Sequence, residues 1–324
     1  MTDPSPGNLD RDSYAPPMGS SNAWLFPGQG SQNVGMGRSL GDAFPDAART
    51  CDAANDALGF DLRALCWDGP TSELERTANA QPAILATSIA ALRAAQAQGL
   101  EAGAPILLGH SLGEFTALVA GGALDFGDAL RLVRKRGELM QAADTSGGMA
   151  AVLGLDADVV AKAIDGTGIV IANDNAPGQV VITGPLASMP AATEALKAAG
   201  AKRVIPLKVS GAFHSPAMRA VAPALAAAIR ATPFHDLRYP VIANVDADVH
   251  TNAADFVTLL EKQVFSPVQW AASVRRAAGE GATTFIEFGN GNVLSGLVKR
   301  ILPDARVANV SDPKSLEEAL DLVR

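Results

Sequence analysis

Apolar residues in this chain come in short runs bounded by glycine and proline, separated by longer stretches where they recur every three or four positions. Buried parallel strands alternating with amphipathic helices give that pattern. Ala23 to Phe26 ends at Pro27 and Gly28, which predicts a buried strand entering a tight, glycine-rich loop. From Gln81 to Ala97, Ile84, Leu85, Ile89 and Leu92 fall at helical spacing, with Pro82 at the expected first helical position. Pro105 to Leu108 reads as a second buried strand that passes through Gly109 into an Ala- and Gly-containing helix, and a further helix is expected over Gly127 to Ala143.

Between about Gly148 and Pro206 the rhythm changes. A strand at Met149 to Leu153 precedes a helix at Ala157 to Ile164; strands Ile169 to Ala172 and Val180 to Thr183 flank the turn Asn175-Ala176-Pro177-Gly178; a helix over Pro185 to Ala199 and a strand over Arg203 to Ile205 follow. This β-α-β-β-α-β order is the ferredoxin-like arrangement. Helices at Pro216 to Arg230, near Pro267 and after Gly291, with a strand at Thr284 to Phe288, then resume the earlier alternation. The expected fold class is α/β: a large α/β-hydrolase-like domain with a parallel sheet, formed by residues 23–146 and 210–324, and an inserted ferredoxin-like subdomain at 147–209. A cleft between two such parts is a preferred ligand site.

With 324 residues, 48% hydrophobic and 19% charged, the chain has ordinary globular usage and ample core. No apolar run approaches the roughly 18 residues of a membrane span, so no membrane association is expected. Met1 to Asn22, polar and rich in Pro, Gly and Ser, lacks the basic start and apolar stretch of a secretory signal and reads as a disordered tail. Cys51 and Cys66 stand without a metal-ligand pattern, which suits a reduced, cytoplasmic compartment. A formal charge of -8 argues against a nucleic-acid partner. The basic clusters Arg131, Arg134, Lys135, Arg136 and Lys299, Arg300 read as solvated helix faces or as docking patches.

The candidate chemistry begins at Gly109-His110-Ser111-Leu112-Gly113, a G-x-S-x-G pattern that puts a serine on a strained turn between strand and helix, with helix amides aimed at a nearby oxyanion. A serine nucleophile needs a base, and the chain has four histidines. His110 adjoins Ser111 but is expected to face inward, and His235 and His250 read as surface residues. His214, in Ser210-Gly211-Ala212-Phe213-His214-Ser215-Pro216 where the small unit returns to the large one, borders the expected cleft. Gly28-Gln29-Gly30 is no dinucleotide loop, since Asn33 stands where its third glycine belongs, and no Gly-Lys pair completes a phosphate loop. Arg136, beside Gly137, reads by itself as an exposed helix-end arginine.

Several of these segments appear in order in one known family. Phe26-Pro27-Gly28-Gln29-Gly30-Ser31-Gln32, Gln81-Pro82-Ala83, Gly109 to Glu114, Arg136-Gly137, Pro177-Gly178-Gln179-Val180-Val181, Ala212-Phe213-His214-Ser215, Pro267-Val268-Gln269-Trp270 and Glu287 to Leu297 together resemble the malonyl-CoA:acyl carrier protein transacylases and related acyltransferase domains. The resemblance runs from Leu25 to about Leu302. It implies Ser111 as acylated nucleophile, His214 as its base, a carbonyl at Gln269 orienting that histidine, and backbone amides of Gln29 and Leu112 as the oxyanion hole. It further implies Arg136 as the grip on the free malonyl carboxylate, for which a planar, permanently charged guanidinium is suited. Malonyl-CoA and acyl carrier protein are then the partners, the coenzyme A thioester is a substrate, no separate cofactor is required, and a monomer is expected. Ala212-Phe213 resembles the malonyl-type pattern and not the methylmalonyl one. Asn290 departs from the family's usual proline. From composition alone Asp246 is the rival orienter, and an α/β-hydrolase esterase, a noncatalytic docking module, or an acyltransferase of polyketide or malonate decarboxylase systems are the rival functions.

Overall fold

The computed structural model describes residues 22–100, 103–143, 146–209 and 211–323. Strand β1 (Asn22–Phe26) leads into short helices α1 (Arg38–Ala43), α2 (Pro45–Leu58), α3 (Leu62–Asp68) and α4 (Thr71–Leu74), then the long α5 (Thr77–Ala97). β2 (Ile106–Gly109) turns sharply into α6 (Leu112–Ala120), and α7 (Phe126–Ala142) follows. The next unit is β3 (Gly147–Leu153), α8 (Ala157–Ala163), β4 (Val170–Ala176), β5 (Gln179–Pro185), α9 (Met189–Ala198) and β6 (Arg203–Pro206). The chain then forms α10 (Ala222–Ala231), β7 (Val241–Ile242), β8 (Val249–His250), α11 (Asp255–Gln263), α12 (Trp270–Gly279), β9 (Thr284–Phe288), α13 (Val293–Ile301), β10 (Arg306–Val310) and α14 (Pro313–Val323).

Two sheets result. The larger has the order β10-β9-β1-β2-β7-β8, parallel except for the β7–β8 pair. Its strands are apolar on both sides because helices cover both: Trp24 and Phe26 join one core cluster with residues of α2, α5 and α7, whereas Ala23 and Leu25 join another with residues of α12 and α13. The smaller sheet is antiparallel, in the order β4-β5-β3-β6. Val152, Val180 and Ile182 pack under α8 and α9 on one face. The alternate residues Met149, Ala151 and Val181 line a cavity on the other, as period-2 alternation requires. An isolated parallel bridge between Asn173 and Val268 ties β4 to the segment that leads into α12.

The expected tail, Met1 to Asn22, lies outside the described residues except for Asn22, which opens β1. Pro82 does not open a helix; α5 starts at Thr77, and Pro82 sits inside it. A proline leaves the carbonyl four residues earlier without its helical donor. That carbonyl, on Ala78, accepts from Arg134 Nη1 at 3.1 Å, which makes the interior proline tolerable. The β4–β5 turn is shorter than expected: Asn175 and Ala176 stay in the strand and Pro177-Gly178 alone reverse the chain, Gly178 at φ 69°. The helix near Pro267 begins at Trp270, and the stretch after Pro216 is a 3₁₀ turn (Pro216–Ala220) followed by α10.

Candidate active site

Strand β2 delivers Ser111 to the mouth of a cavity of about 490 Å³ lined by Gln29, His110, Ser111, Arg136, Asn175 and His214, among others. The turn is possible only because three glycines let backbones touch. A Cβ on Gly109 would stand 1.9 Å from the Gly113 carbonyl, one on Gly113 1.9 Å from the Phe26 carbonyl, and one on Gly28 2.4 Å from the His110 carbonyl. The loop after β1 is therefore pressed against the start of α6. Ser111 pays for its position with φ 52°, a conformation that L-residues seldom adopt.

His214 comes from the far side of the small sheet, 103 residues along, and the Ser111 hydroxyl donates to its Nε2 at 2.7 Å. It too is strained, at φ 56°. Its Nδ1–H donates to the backbone carbonyls of Gln263 (2.9 Å) and Ser266 (3.2 Å). Two acceptors at Nδ1 fix the tautomer, so Nε2 is left free to take a proton. Burial, then the nearby Arg136 charge, lowers the His214 pKa from 6.5 to about 3, so the ring is a neutral base.

The orienting group is thus a carbonyl, but not that of Gln269. The Gln269 carbonyl caps α12 by accepting from Ser273 N and Oγ, and its side-chain amide donates to the Val245 carbonyl. The geometric reason is that α11 ends at Gln263, whose carbonyl takes only a long 3.4 Å bond from Ser266 N, so this carbonyl and that of Ser266 just beyond the helix can both accept from the imidazole. Asp246 pairs with His250 near the surface and takes no part. His235 is likewise paired with Asp125 at the surface.

Arg136 is 1% exposed on α7, not the exposed helix-end residue that its position beside Gly137 suggests. Nη1 donates to Gln81 Oε1 at 2.8 Å; Nη2 donates to Gln263 Oε1 at 2.9 Å and to Ser111 Oγ at 3.1 Å. The guanidinium lies over the Phe115 ring at 5.4 Å, and Nε has no partner. Among the described residues it forms no salt bridge, and burial lowers its pKa to about 10. A desolvated cation that reaches the nucleophile and lacks a counterion is matched to an anionic group on the ligand.

Leu112 opens α6 directly after Ser111, Gln29 lines the same cavity from the pressed loop, and among the described residues neither backbone amide is taken by a protein acceptor. Free donors at a helix start are suited to a developing oxyanion. Asn290 Nδ2 donates to the Ser31 carbonyl at 2.5 Å, bracing this loop.

Four residues of the site were not legible as such in the sequence. Asn244 accepts from Ser111 N (2.7 Å) and donates to the Gly109 carbonyl (2.7 Å), stapling the elbow. Gln263 donates through Nε2 to the Ser111 carbonyl (2.9 Å) and to Glu114 Oε2 (3.0 Å). Gln81 anchors the guanidinium, and Asn175, from the small sheet, accepts from His110 Nε2 at 2.8 Å. His110 is therefore directed at the small sheet across the cavity, and burial lowers its pKa. The signal for Gln263 lies in its helix: it follows Phe256, Leu259 and Leu260 at seven, four and three positions, so it sits on their buried stripe.

The chain matches the family of acyl transferase domains over residues 23–313. It is 45% identical over 312 residues to a malonyl CoA-acyl carrier protein transacylase of Bacillus subtilis, covering 94% of this chain and 98% of that protein. Among solved structures, an acyl-carrier-protein S-malonyltransferase from Burkholderia pseudomallei superposes with a TM-score of 0.90 at 43% identity, covering 93% of this chain and 99% of the other. A malonyl-transacylase solved with its type II polyketide acyl-carrier protein gives a TM-score of 0.89 at 41% identity, with 93% and 99% covered.

Proposed function

The chain belongs to the acyl transferase domain family and moves malonyl from coenzyme A to acyl carrier protein, a step of fatty acid biosynthesis, and we propose that it does so through a malonyl ester on Ser111. His214 Nε2 accepts the hydroxyl proton as Ser111 Oγ attacks the thioester carbonyl, and the Gln29 and Leu112 amides receive the oxyanion. The carbon–sulfur bond then breaks, and coenzyme A leaves with the proton from His214. In the second half the phosphopantetheine thiol of the carrier gives its proton to His214 and attacks the ester. Ser111 leaves as the alkoxide, is reprotonated by the imidazolium, and malonyl-carrier departs.

One observation carries the malonyl assignment: Arg136, buried and without a carboxylate partner among the described residues, stands 3.1 Å from the nucleophile. A bound malonyl supplies the missing anion, whereas acetyl leaves the charge uncompensated. Esterases of the hydrolase type have no use for a fixed cation facing the acyl group, and their histidine is held by an acid; here two carbonyls hold it. The test is coenzyme A release from malonyl-CoA with holo acyl carrier protein present or absent. Carrier-dependent release with malonyl-carrier as product supports the reading, and equal release without carrier would make the protein a hydrolase.

We read residues 147–209 as a ferredoxin-like subdomain inserted into an α/β-hydrolase-like domain of 23–146 and 210–324. The order β4-β5-β3-β6 with α8 and α9 on one face supports the first part, and the strand-elbow-helix β2-Ser111-α6 the second. The free, buried Cys51 and Cys66 support a cytoplasmic location.

A further inference from the structure

Directly behind the nucleophile, the first turn of α6 drives Glu114 into the core, where it is 0% exposed. An acidic residue at this third helical position ordinarily turns back to the N-cap amide. Here the N-cap amide, that of Ser111, goes to Asn244 Oδ1 instead. The carboxylate reaches away from the helix: Oε2 accepts from Asn244 N at 2.9 Å and from Gln263 Nε2 at 3.0 Å, while Oε1 has no partner. A buried carboxylate with half its capacity unused is costly, and the catalytic steps above do not employ it.

What it does employ is Gln263, whose amide is an acceptor at one end and a donor at the other. Once Glu114 is ionised, above its raised pKa of about 7, its carboxylate at Nε2 requires Oε1 to face Arg136 Nη2; a flip would set a carbonyl against the carboxylate and an amide N–H against the guanidinium, two repulsions at once. We propose that Glu114 is a positioning residue that locks the Gln263 amide in one orientation and thereby sets the guanidinium of Arg136 for the malonyl carboxylate. The same residue's backbone carbonyl holds His214, so the lock serves both the grip and the base. This inference rests on the malonyl reading given above.

The experiment compares kcat/KM for malonyl-CoA and acetyl-CoA in Glu114→Met, which keeps length but offers only a weak sulfur acceptor, and in Glu114→Gln, which keeps an oxygen acceptor for Gln263 and Asn244. Loss of one buried anchor of the guanidinium lowers the malonyl-to-acetyl ratio of Glu114→Met by about tenfold or more, and Glu114→Gln stays within about threefold of the parent. A change under threefold in folded Glu114→Met overturns the proposal, as does an equal loss in Glu114→Gln. Should Glu114→Met not fold, Glu114→Asp, one methylene too short to reach Gln263, is held to the same ratio. Absence of a malonyl-Ser111 adduct in the parent protein would instead sink the malonyl reading; an adduct with unchanged ratios sinks this inference alone.

Discussion

Replacing Arg136 by alanine removes the one charged side chain that, among the described residues, hydrogen-bonds the nucleophile. The guanidinium is 1% exposed, and two of its anchors, Gln81 and Gln263, are themselves buried, so a malonyl carboxylate meets it with little water to screen the pair. Breaking a buried, hydrogen-bonded ion pair by deleting one partner costs about 3–5 kcal/mol. At about 1.4 kcal/mol per tenfold, that is roughly a 10²- to 10⁴-fold loss of kcat/KM for malonyl-CoA. Acetyl brings no carboxylate, so its transfer escapes this cost and gains relative to malonyl transfer. Arg136→Lys keeps a cation but not the planar fork, and falls between. The assay is coenzyme A release from each thioester at subsaturating concentration, with holo carrier as acceptor. A malonyl preference left intact, or an equal loss for both acyl groups, would refute the role of Arg136.

Three further outcomes follow from the geometry. His214→Ala lowers the acylation rate by at least about 10²- to 10⁴-fold, measured in a single turnover, and near-normal transfer would remove it as the base. Gly113→Ala sets a Cβ 1.9 Å from the Phe26 carbonyl, so backbone must move; a stability loss above about 3 kcal/mol is expected in urea denaturation, and a neutral effect contradicts the pressed-loop packing. Stability also depends on pH with opposing signs at two buried groups. His214, lowered to about 3, leaves the unfolded chain to bind the proton first, so its contribution is full above pH 6.5 and is lost as pH falls toward 3. Glu114, raised to about 7, holds a proton that the unfolded chain releases near 4.5, so its contribution is lost as pH rises from 4.5 to 7. Glu114→Gln therefore adds up to about 1.4 kcal/mol per pH unit of stability gain with rising pH between 5 and 6.5, and an unchanged slope would contradict the assignment.

What the sequence disclosed about this site follows from how local each constraint is. The elbow is legible because strand, glycines and helix are neighbours in the chain, and the strain at Ser111 is imposed by residues within two positions of it. The short apolar runs of β1 and β9 are legible because helices bury both their faces. The orienter of His214 is not legible in this way. Its carbonyl is available to the imidazole only because α11 stops at Gln263, and no glycine marks that end; Pro267, four residues on, reads in the sequence as the start of the next helix. Gln269, the expected orienter, sits just before a helix, where its carbonyl is consumed by that helix. Arg136 looked like a surface residue because nothing local says that α7 packs against α5 closely enough to bury it; the approach is made at Gly137, where a Cβ would meet the Thr77 carbonyl at 2.7 Å. Pro82 misled for a similar reason, since its orphaned carbonyl is satisfied by an arginine 56 positions from Ala78.

The central claim is that malonyl rests on Ser111 between its two carriers. Mixing the protein with malonyl-CoA, quenching, and mapping the mass gain by peptide mass spectrometry tests it most directly. A malonyl adduct confined to the peptide carrying Ser111, absent in Ser111→Ala and discharged when holo acyl carrier protein is added before the quench, is the predicted result. Carrier-dependent transfer with no adduct on that peptide, or an adduct that the carrier does not discharge, would contradict it.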